Sequence, residues 1–350
     1  MYQNYKIVVN TAAGRRRYMQ YLIPYVISSE IVDRYDLWIN THNCADIEFF
    51  KQLASLYSKI NLVWQPDGWV NGNASINAFY KQCCDENAIY FKLDDDIVWM
   101  EDGAIEKMIK FRVENPQYFL VSPLVINNAQ STYLLQVCGK LKLNKYYNSA
   151  ADNNILWRSG EFASQLHQWF LKKLNNKSFN DLHLGSHPMA LCRFSINAIM
   201  WFGKDLAKIK GIVPGDDEEF MSCILPSKIG GTNCWNGDVI LAHFAFYTQR
   251  EQLDKCSILE KYGKINFERF KENKVLAEVN ERVQEIMRDI KGIESQLMQN
   301  PSPYSNVNPN VPARKDERNV IKKMIPTFIK KFAKLILKNS NNEIEKYILS

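Results

Sequence analysis

The sequence predicts an α/β protein with a mostly parallel central sheet flanked by helices, followed by a helical C-terminal extension. Three observations carry this. Short apolar runs alternate with stretches of helical periodicity from Lys6 to Leu93, and such alternation marks crossovers between parallel strands. The apolar run from Ala88 to Leu93 ends in Asp94-Asp95-Asp96, as a buried strand does when it delivers polar groups to a site at its C-terminal end. Lys274 to Met298 reads as one long polar helix.

The elements follow in order. Lys6 to Asn10 is the first strand, and Gly14-Arg15-Arg16-Arg17 opens a helix through Tyr25. Tyr35 to Asn40 is the second strand, Ile47 to Ser58 a helix, and Ile60 to Trp64 the third strand. Asn71 to Asn77 opens a helix through Cys84, and the fourth strand carries the three aspartates. This half is Rossmann-like. Asp102 to Glu114 is a further helix, and Phe119 to Pro123 a further strand. Between Ile126 and Leu191 the periodicity weakens, apart from a helix-like stretch at Ser164 to Leu174. Regularity returns at Phe194 to Phe202, at Gly215-Asp216-Asp217-Glu218-Glu219 heading a helix, and at Val239 to Phe246. The expected division is a catalytic domain over 1–255, a helical extension over 256–299, a Pro/Asn-rich linker over 300–313 and a basic tail over 314–350.

Of the 350 residues, 46% are hydrophobic and 23% charged, as a globular chain requires. No basic start followed by a long apolar run marks a secretory leader. The eight cysteines contain no CxxC pair and no zinc spacing, so they read as reduced thiols in a cytoplasmic protein. The net charge of +6 is concentrated: 314–338 holds nine Lys/Arg against Asp316 and Glu317, leaving the body near neutral. A near-neutral body argues against a nucleic-acid-binding catalytic domain.

Three adjacent carboxylates repel one another unless a cation sits among them. A divalent metal that brings substrate phosphates with it, Mn²⁺ or Mg²⁺, is the natural partner. A helix cap is the alternative, although capping needs one Asp, not three. The second cluster, Asp216 to Glu219, supplies either a general base or a helix-heading set of acids that answers the macrodipole. His243 sits in an apolar run, where a core histidine is the default and a metal ligand the functional alternative.

In this order the three elements resemble nucleotide-sugar-dependent glycosyltransferases of the GT-A fold, in a family-2-like form. In that family a strand ends in a DxD motif, as at Asp94-Asp95-Asp96. A later acidic motif opens a helix, as at Gly215 to Glu219, and a His near the domain end completes the metal site, as His243 would. The resemblance spans roughly residues 5 to 250. It implies that Asp96, Asp94 and His243 hold Mn²⁺ or Mg²⁺. It places Thr11, Arg15, Asn73, Asn77, Asp94 and Asp95 around the donor nucleotide. It makes Asp217 the catalytic base and Asp216 the second choice, with the register between them open because Asp216 stands where the family often has Glu. His187 either faces the acceptor or serves its own loop. The implied donor is a nucleoside-diphosphate sugar, UDP-sugar favoured, and the acceptor a glycan or lipid-linked glycan of surface polysaccharide or glycolipid synthesis. A base acting opposite the leaving group gives inversion.

The tail repeats apolar residues at three- and four-residue spacing from Ile321 to Ile336, with lysines largely on the other side. This predicts a basic amphipathic helix on an anionic membrane surface, with docking on the enzyme body as the alternative. The expected place is then the cytoplasmic face of the cell membrane. Two other functions fit clustered acids: a metal-dependent phosphohydrolase or nucleotidyltransferase, and a non-catalytic glycan-binding protein on a transferase fold.

Overall fold

Alternate residues on the central strands feed two cores. Ile7, Val9, Ile89 and Phe91 join one apolar cluster, while Val8, Ala88 and Tyr90 join the other. Successive strand side chains point to opposite faces, so the sheet is buried on both sides. The computed structural model describes residues 1–309 and 345–349. The tail expected over 314–338 lies outside the described residues.

The N-terminal half is built as the alternation requires. Strand β1 (Lys6–Ala13) leads to helix α1 (Arg16–Ser28), β2 (Arg34–Ile39), α2 (Cys44–Leu56), β3 (Ile60–Trp64) and then β4 (Ala88–Leu93). β1 pairs in parallel with both β2 and β4, and β2 with β3. The stretch expected to be a helix from Asn71 instead runs as 3₁₀ turns over Gly72–Gln82. Gly72 has φ +52°, and Ser75 Oγ donates back to Gly72 O at 3.0 Å. Such local side-chain bonds compete with an α-helical ladder.

Beyond β4 the sheet is mixed. A four-residue strand, β5 (Ile97–Met100), follows the aspartates directly and was not anticipated. Then come α3 (Ala104–Glu114), β6 (Tyr118–Ile126), α4 (Ala129–Val137), α5 (Asn154–Arg158), α6 (Gly160–Asn175), β7 (Ser186–Met189), β8 (Ala198–Phe202) and α7 (Gly203–Ala207). The helix after Asp216 has α8 (Asp217–Glu219), a π-turn at Phe220–Ile224 and α9 (Leu225–Ile229). It leads into the long strand β9 (Thr232–His243), and α10 (Arg250–Lys255), α11 (Ile258–Phe270) and α12 (Lys274–Leu297) follow. The strand path is β3-β2-β1-β4-β8-β6-β9-β5, with β7 on β9. β6 pairs with β8 only at Val121↔Met200 and otherwise runs with β9.

The long helix α12 is not polar all round. Val279, Val283, Ile286 and Ile290 are buried at four- and three-residue spacing, and the helix packs on α1 and α2. The Pro-rich stretch after it lies on the body: Val70 N donates to Ser305 O at 2.9 Å, and Tyr304 Oη accepts from Gln65 N at 3.0 Å. Residues 345–349 pair with the loop before α5, through Asn144 N→Tyr347 O at 2.8 Å and Leu349 N→Lys142 O at 2.9 Å. Among the described residues no helix is long and apolar enough to cross a membrane.

Candidate active site

The site forms where β4 and β9 end. Asp94–Asp96 leaves β4, and the next strand, β5, runs antiparallel to β9 with Ile97 opposite His243. Phe244 N donates to Asp96 O at 2.8 Å. This register brings His243 beside the aspartates from about 150 residues away in sequence. One ligand atom each from Asp94, Asp96 and His243 lies within 4.8 Å of the others.

The donor set matches a divalent cation in burial and chemistry. Asp96 and His243 are each 3% exposed, and His243 Nε2 lies 3.2 Å from Asp96 Oδ1. His243 Nδ1 is 3.3 Å from Asn127 O. A carbonyl there makes Nδ1 the donor, so Nε2 is the nitrogen that faces the carboxylates: it carries a proton toward Asp96 in the metal-free site and would offer its lone pair to a cation once that proton leaves. Two carboxylates and a neutral imidazole suit a hard or borderline divalent cation. Residues and geometry therefore fit a metal.

Permanent cations balance the acids. Arg15, at the turn after β1, bonds Asp95 through two nitrogens and Asp96 Oδ2 at 3.0 Å. Lys92, buried on β4, donates to Asp94 Oδ1 at 2.6 Å and Ile196 O at 3.1 Å, and Asn197 holds Asp94 Oδ2 at 3.0 Å. Burial opposes charge on Lys92, yet Asp94 and Asp217 outweigh it and its pKa is raised. Burial also opposes charge on Asp96, and Arg15 and His243 overcome it, so its pKa is lowered. His243 is the mirror case: burial lowers it, Asp96 raises it more, and the net direction is up. Asp95 goes the other way, because burial raises its carboxyl more than Arg15 lowers it.

The second acidic cluster faces the same cleft. Asp216 caps the helix, its Oδ1 accepting from Glu219 N at 2.9 Å, and its Oδ2 is 3.1 Å from Arg193. Arg193 also pairs with Glu218 at 2.9 Å. Asp217 is left free of arginine and accepts a bond from Tyr80 Oη at 3.2 Å. Burial raises its pKa, against a weaker pull from Lys92. That is the environment a carboxylate base needs. Lys92 lies between the two acidic clusters, in contact with Asp94 and within electrostatic reach of Asp217.

Together these groups border one cleft of about 1020 Å³, lined among others by Arg15, Asn73, Asp94, Asp95, Asp96, Asp216, Asp217 and His243. Two expectations are corrected, and one left between two readings is decided. Thr11 is fully buried, its hydroxyl 3.1 Å from Tyr35 Oη, so it does not border a nucleotide. Asn77 does not face a base: its Nδ2 donates to Val213 O and Gly215 O, both at 2.8 Å, and so tethers the loop that presents Asp217. His187 lies on β7 with Nε2 2.8 Å from Leu184 O and serves its own turn. Sequence reasoning missed Lys92, Arg250 and the aromatic residues Trp157, Phe246 and Tyr247, all of which line the cleft. Lys92 alone carried a signal, as a lysine inside a buried strand two residues before a carboxylate.

No family model matches the sequence, and no curated protein does. Solved structures resemble it loosely. A 4-diphosphocytidyl-2C-methyl-D-erythritol synthase from Anaerococcus prevotii is 11% identical, with a TM-score of 0.38 over 75% of this chain and 96% of that one. A second structure of 4-diphosphocytidyl-2C-methyl-D-erythritol synthase is 9% identical, with a TM-score of 0.38 over 74% and 100%. A CMP:2-keto-3-deoxy-manno-octonic acid synthetase in complex with CTP is 10% identical, with a TM-score of 0.38 over 74% and 98%. Likeness at that level carries no argument about what this chain does.

Proposed function

We propose that the chain is a metal-dependent glycosyltransferase that moves a sugar from a nucleoside-diphosphate sugar to a glycan or lipid-linked acceptor. One observation carries the reading. The Asp94–Asp96–His243 group and the base-like Asp217 share a single cleft, with Lys92 between them. At about 1020 Å³ the cleft stands at the upper end of small-molecule sites, roughly 300–1,000 Å³, and so has room for more than a nucleotide.

Asp94, Asp96 and His243 would hold the cation, which when bound offsets the negative charge growing on a departing diphosphate. Arg15 and Arg250 border the same end and meet phosphate oxygens. Asp217, kept basic by burial, takes the proton of the attacking acceptor hydroxyl. Attack from the face opposite the leaving group inverts the anomeric centre. Asn73, exposed on the rim, and Gly14 border the nucleoside. The basic segment 314–338 holds the enzyme on an anionic membrane surface at the cytoplasmic face, beside a lipid-linked acceptor.

A second reading, nucleotidyl transfer, is favoured by the arginines. Arg250 makes no ion pair among the described residues and lies close enough to Arg15 to be disfavoured by its charge. Two neighbouring arginines suit a triphosphate as well as a diphosphate.

A thermal-shift screen with UDP, GDP, CMP, CTP and UDP-sugars, each with and without Mn²⁺, separates these readings. A ligand at a hundredfold excess over Kd stabilises by about 2.7 kcal/mol. Mn²⁺-dependent stabilisation by a nucleoside diphosphate, lost in Asp96→Ala, supports sugar transfer. Stabilisation by CTP alone, with pyrophosphate released on turnover, moves the assignment to nucleotidyl transfer.

A further inference from the structure

One rim of the cleft is apolar and cationic at once. Trp157, on α5, and Tyr247, just after β9, meet edge to face with ring centroids 5.3 Å apart. Phe246 joins them at 6.4 Å from Trp157 and reaches His243 at 4.8 Å. The shelf therefore begins at the metal-ligand histidine. It is held firmly: Thr248 Oγ1 donates to Trp157 O and Gln249 Nε2 to Leu156 O, both at 3.0 Å. Buried Gln249 in turn accepts from Asn127 Nδ2 at 2.9 Å. Yet Tyr247 is 66% exposed. An ordered aromatic pair left open to water in a cleft is a ready stacking surface.

One cation stands on the same rim. The Arg158 guanidinium lies over the Trp157 ring at 5.3 Å and pairs with no carboxylate among the described residues. Arg250, whose buried Nε has no partner, lies instead within electrostatic reach of Arg15, Asp96 and Asp95. Asp152 also lines the cleft and bonds neither arginine. Across the cleft, Arg193 is fully engaged by Asp216 and Glu218. Arg158 is exposed at the rim, so its guanidinium is open to an anion that enters the cleft and can meet it with charge-assisted hydrogen bonds.

We infer that the Trp157–Tyr247 shelf, with Arg158, is the acceptor subsite, and that it takes a sugar ring bearing an anionic group, phosphate or carboxylate. The inference rests on the reading that this cleft transfers a sugar. The donor nucleoside has the other end, walled by Gly14, Asn40 and Gly72–Ala74 from the N-terminal half. The shelf comes from α5 and the segment after β9, beyond His243. A sugar's C–H face stacks on the rings while its anionic substituent meets Arg158.

Titration calorimetry on the full chain with glucose, glucuronate and glucose 1-phosphate tests this. Either charged sugar should bind at least about tenfold tighter than glucose, as one added charge-assisted bond gives. Which of the two gains more identifies the substituent as carboxylate or phosphate. Tyr247→Ala, a change on an exposed side chain, and Trp157→Ala should abolish binding of all three sugars. Arg158→Gln should remove only the preference for charge. All three variants should keep Mn²⁺-dependent stabilisation by nucleotide. Equal binding of neutral and charged sugars overturns the inference. So does loss of nucleotide binding in Trp157→Ala, which would make the shelf the platform for the donor base. If wild type shows no Mn²⁺-dependent nucleotide stabilisation, the sugar-transfer reading itself fails and the acceptor assignment fails with it, whatever the sugars do.

Discussion

Replacing Asp96 by Asn removes the carboxylate that Arg15 and His243 share. Arg15 Nη2 donates to Asp96 Oδ2 at 3.0 Å, and His243 Nε2 lies 3.2 Å from Oδ1. Breaking a buried ion pair costs about 3–5 kcal/mol, and because Arg15 keeps its two bonds to Asp95 the lower end, about 3 kcal/mol, is expected here. For a large domain that is roughly 10 °C in Tm, at about 2–4 °C per kcal/mol. The loss should depend on pH. Asp96 has a lowered pKa, so it contributes stability above its unfolded value near about 3.9, and that contribution fades as pH falls through the folded value. His243 has a raised pKa, so its contribution is complete below about 6.5 and is lost as pH rises through the folded value. The pair therefore contributes most between about pH 4 and 6.5. Asp96→Asn should lose more stability at about pH 5.5 than at about pH 8.5, with the Arg15 component lost at both. Each unit by which His243 is raised adds about 1.4 kcal/mol to that difference. Thermal melts followed by near-UV circular dichroism, with EDTA present, measure it. Equal losses at both pH values, or a loss under about 1 kcal/mol at the lower one, would refute the pairing and the electrostatics inferred from it.

Asp217→Asn should keep the fold and nucleotide binding, since Asn can still accept from Tyr80, while turnover falls about 10²–10⁴-fold. Nucleotide release assays decide this, and unchanged turnover removes Asp217 as the base. Asn77→Ala should lower kcat and leave nucleotide affinity intact, because it frees the Val213–Gly215 loop at about 1 kcal/mol per lost bond. A variant that loses nucleotide affinity instead would return Asn77 to the donor site. Lys92→Met should destabilise by about 3 kcal/mol, leaving Asp94 and Asp217 without their buried cation. Mn²⁺ should restore part of that Tm by supplying positive charge at Asp94, and no rescue in a melt with and without Mn²⁺ would count against a cation at this carboxylate.

What the sequence made legible was periodic or clustered. β1 to β4 announced themselves by alternation, and both acidic motifs stood out because like charges side by side need a reason. β5 did not, since four apolar residues after a run of acids have no period of their own. Thr11 and Asn77 show a different obstacle. Their neighbours were placed well enough, but direction along a strand or turn decides whether a side chain enters the cleft or braces it. The rim built by Trp157 and Tyr247 was hidden more deeply. It joins α5 to the end of β9 across about 90 residues, and only tertiary contact makes the two one surface.

The balance of charge in the cleft links these parts. Its lining carries seven carboxylates, Asp94, Asp95, Asp96, Asp152, Asp216, Asp217 and Glu218, against Arg15, Lys92, Arg158, Arg193 and Arg250. The formal difference is two negative charges, which one divalent cation neutralises. A cleft that repels anions at long range would be a poor receptor for a diphosphate, since like-signed fields slow encounter. Loading with a cation removes that barrier, and the charges are already segregated. Asp216 and Glu218 occupy Arg193, Asp94 occupies Lys92, and Asp95 with Asp96 occupies Arg15. Among the described residues Arg158 and Arg250 make no ion pair; Arg158 stands on the aromatic rim, and Arg250 lies within electrostatic reach of Asp96 and Asp95. On the aromatic rim the residual attraction for an anion is therefore that of Arg158. Metal-dependent nucleotide capture at one end and anion selection at the other are two consequences of the same distribution of paired and unpaired charge.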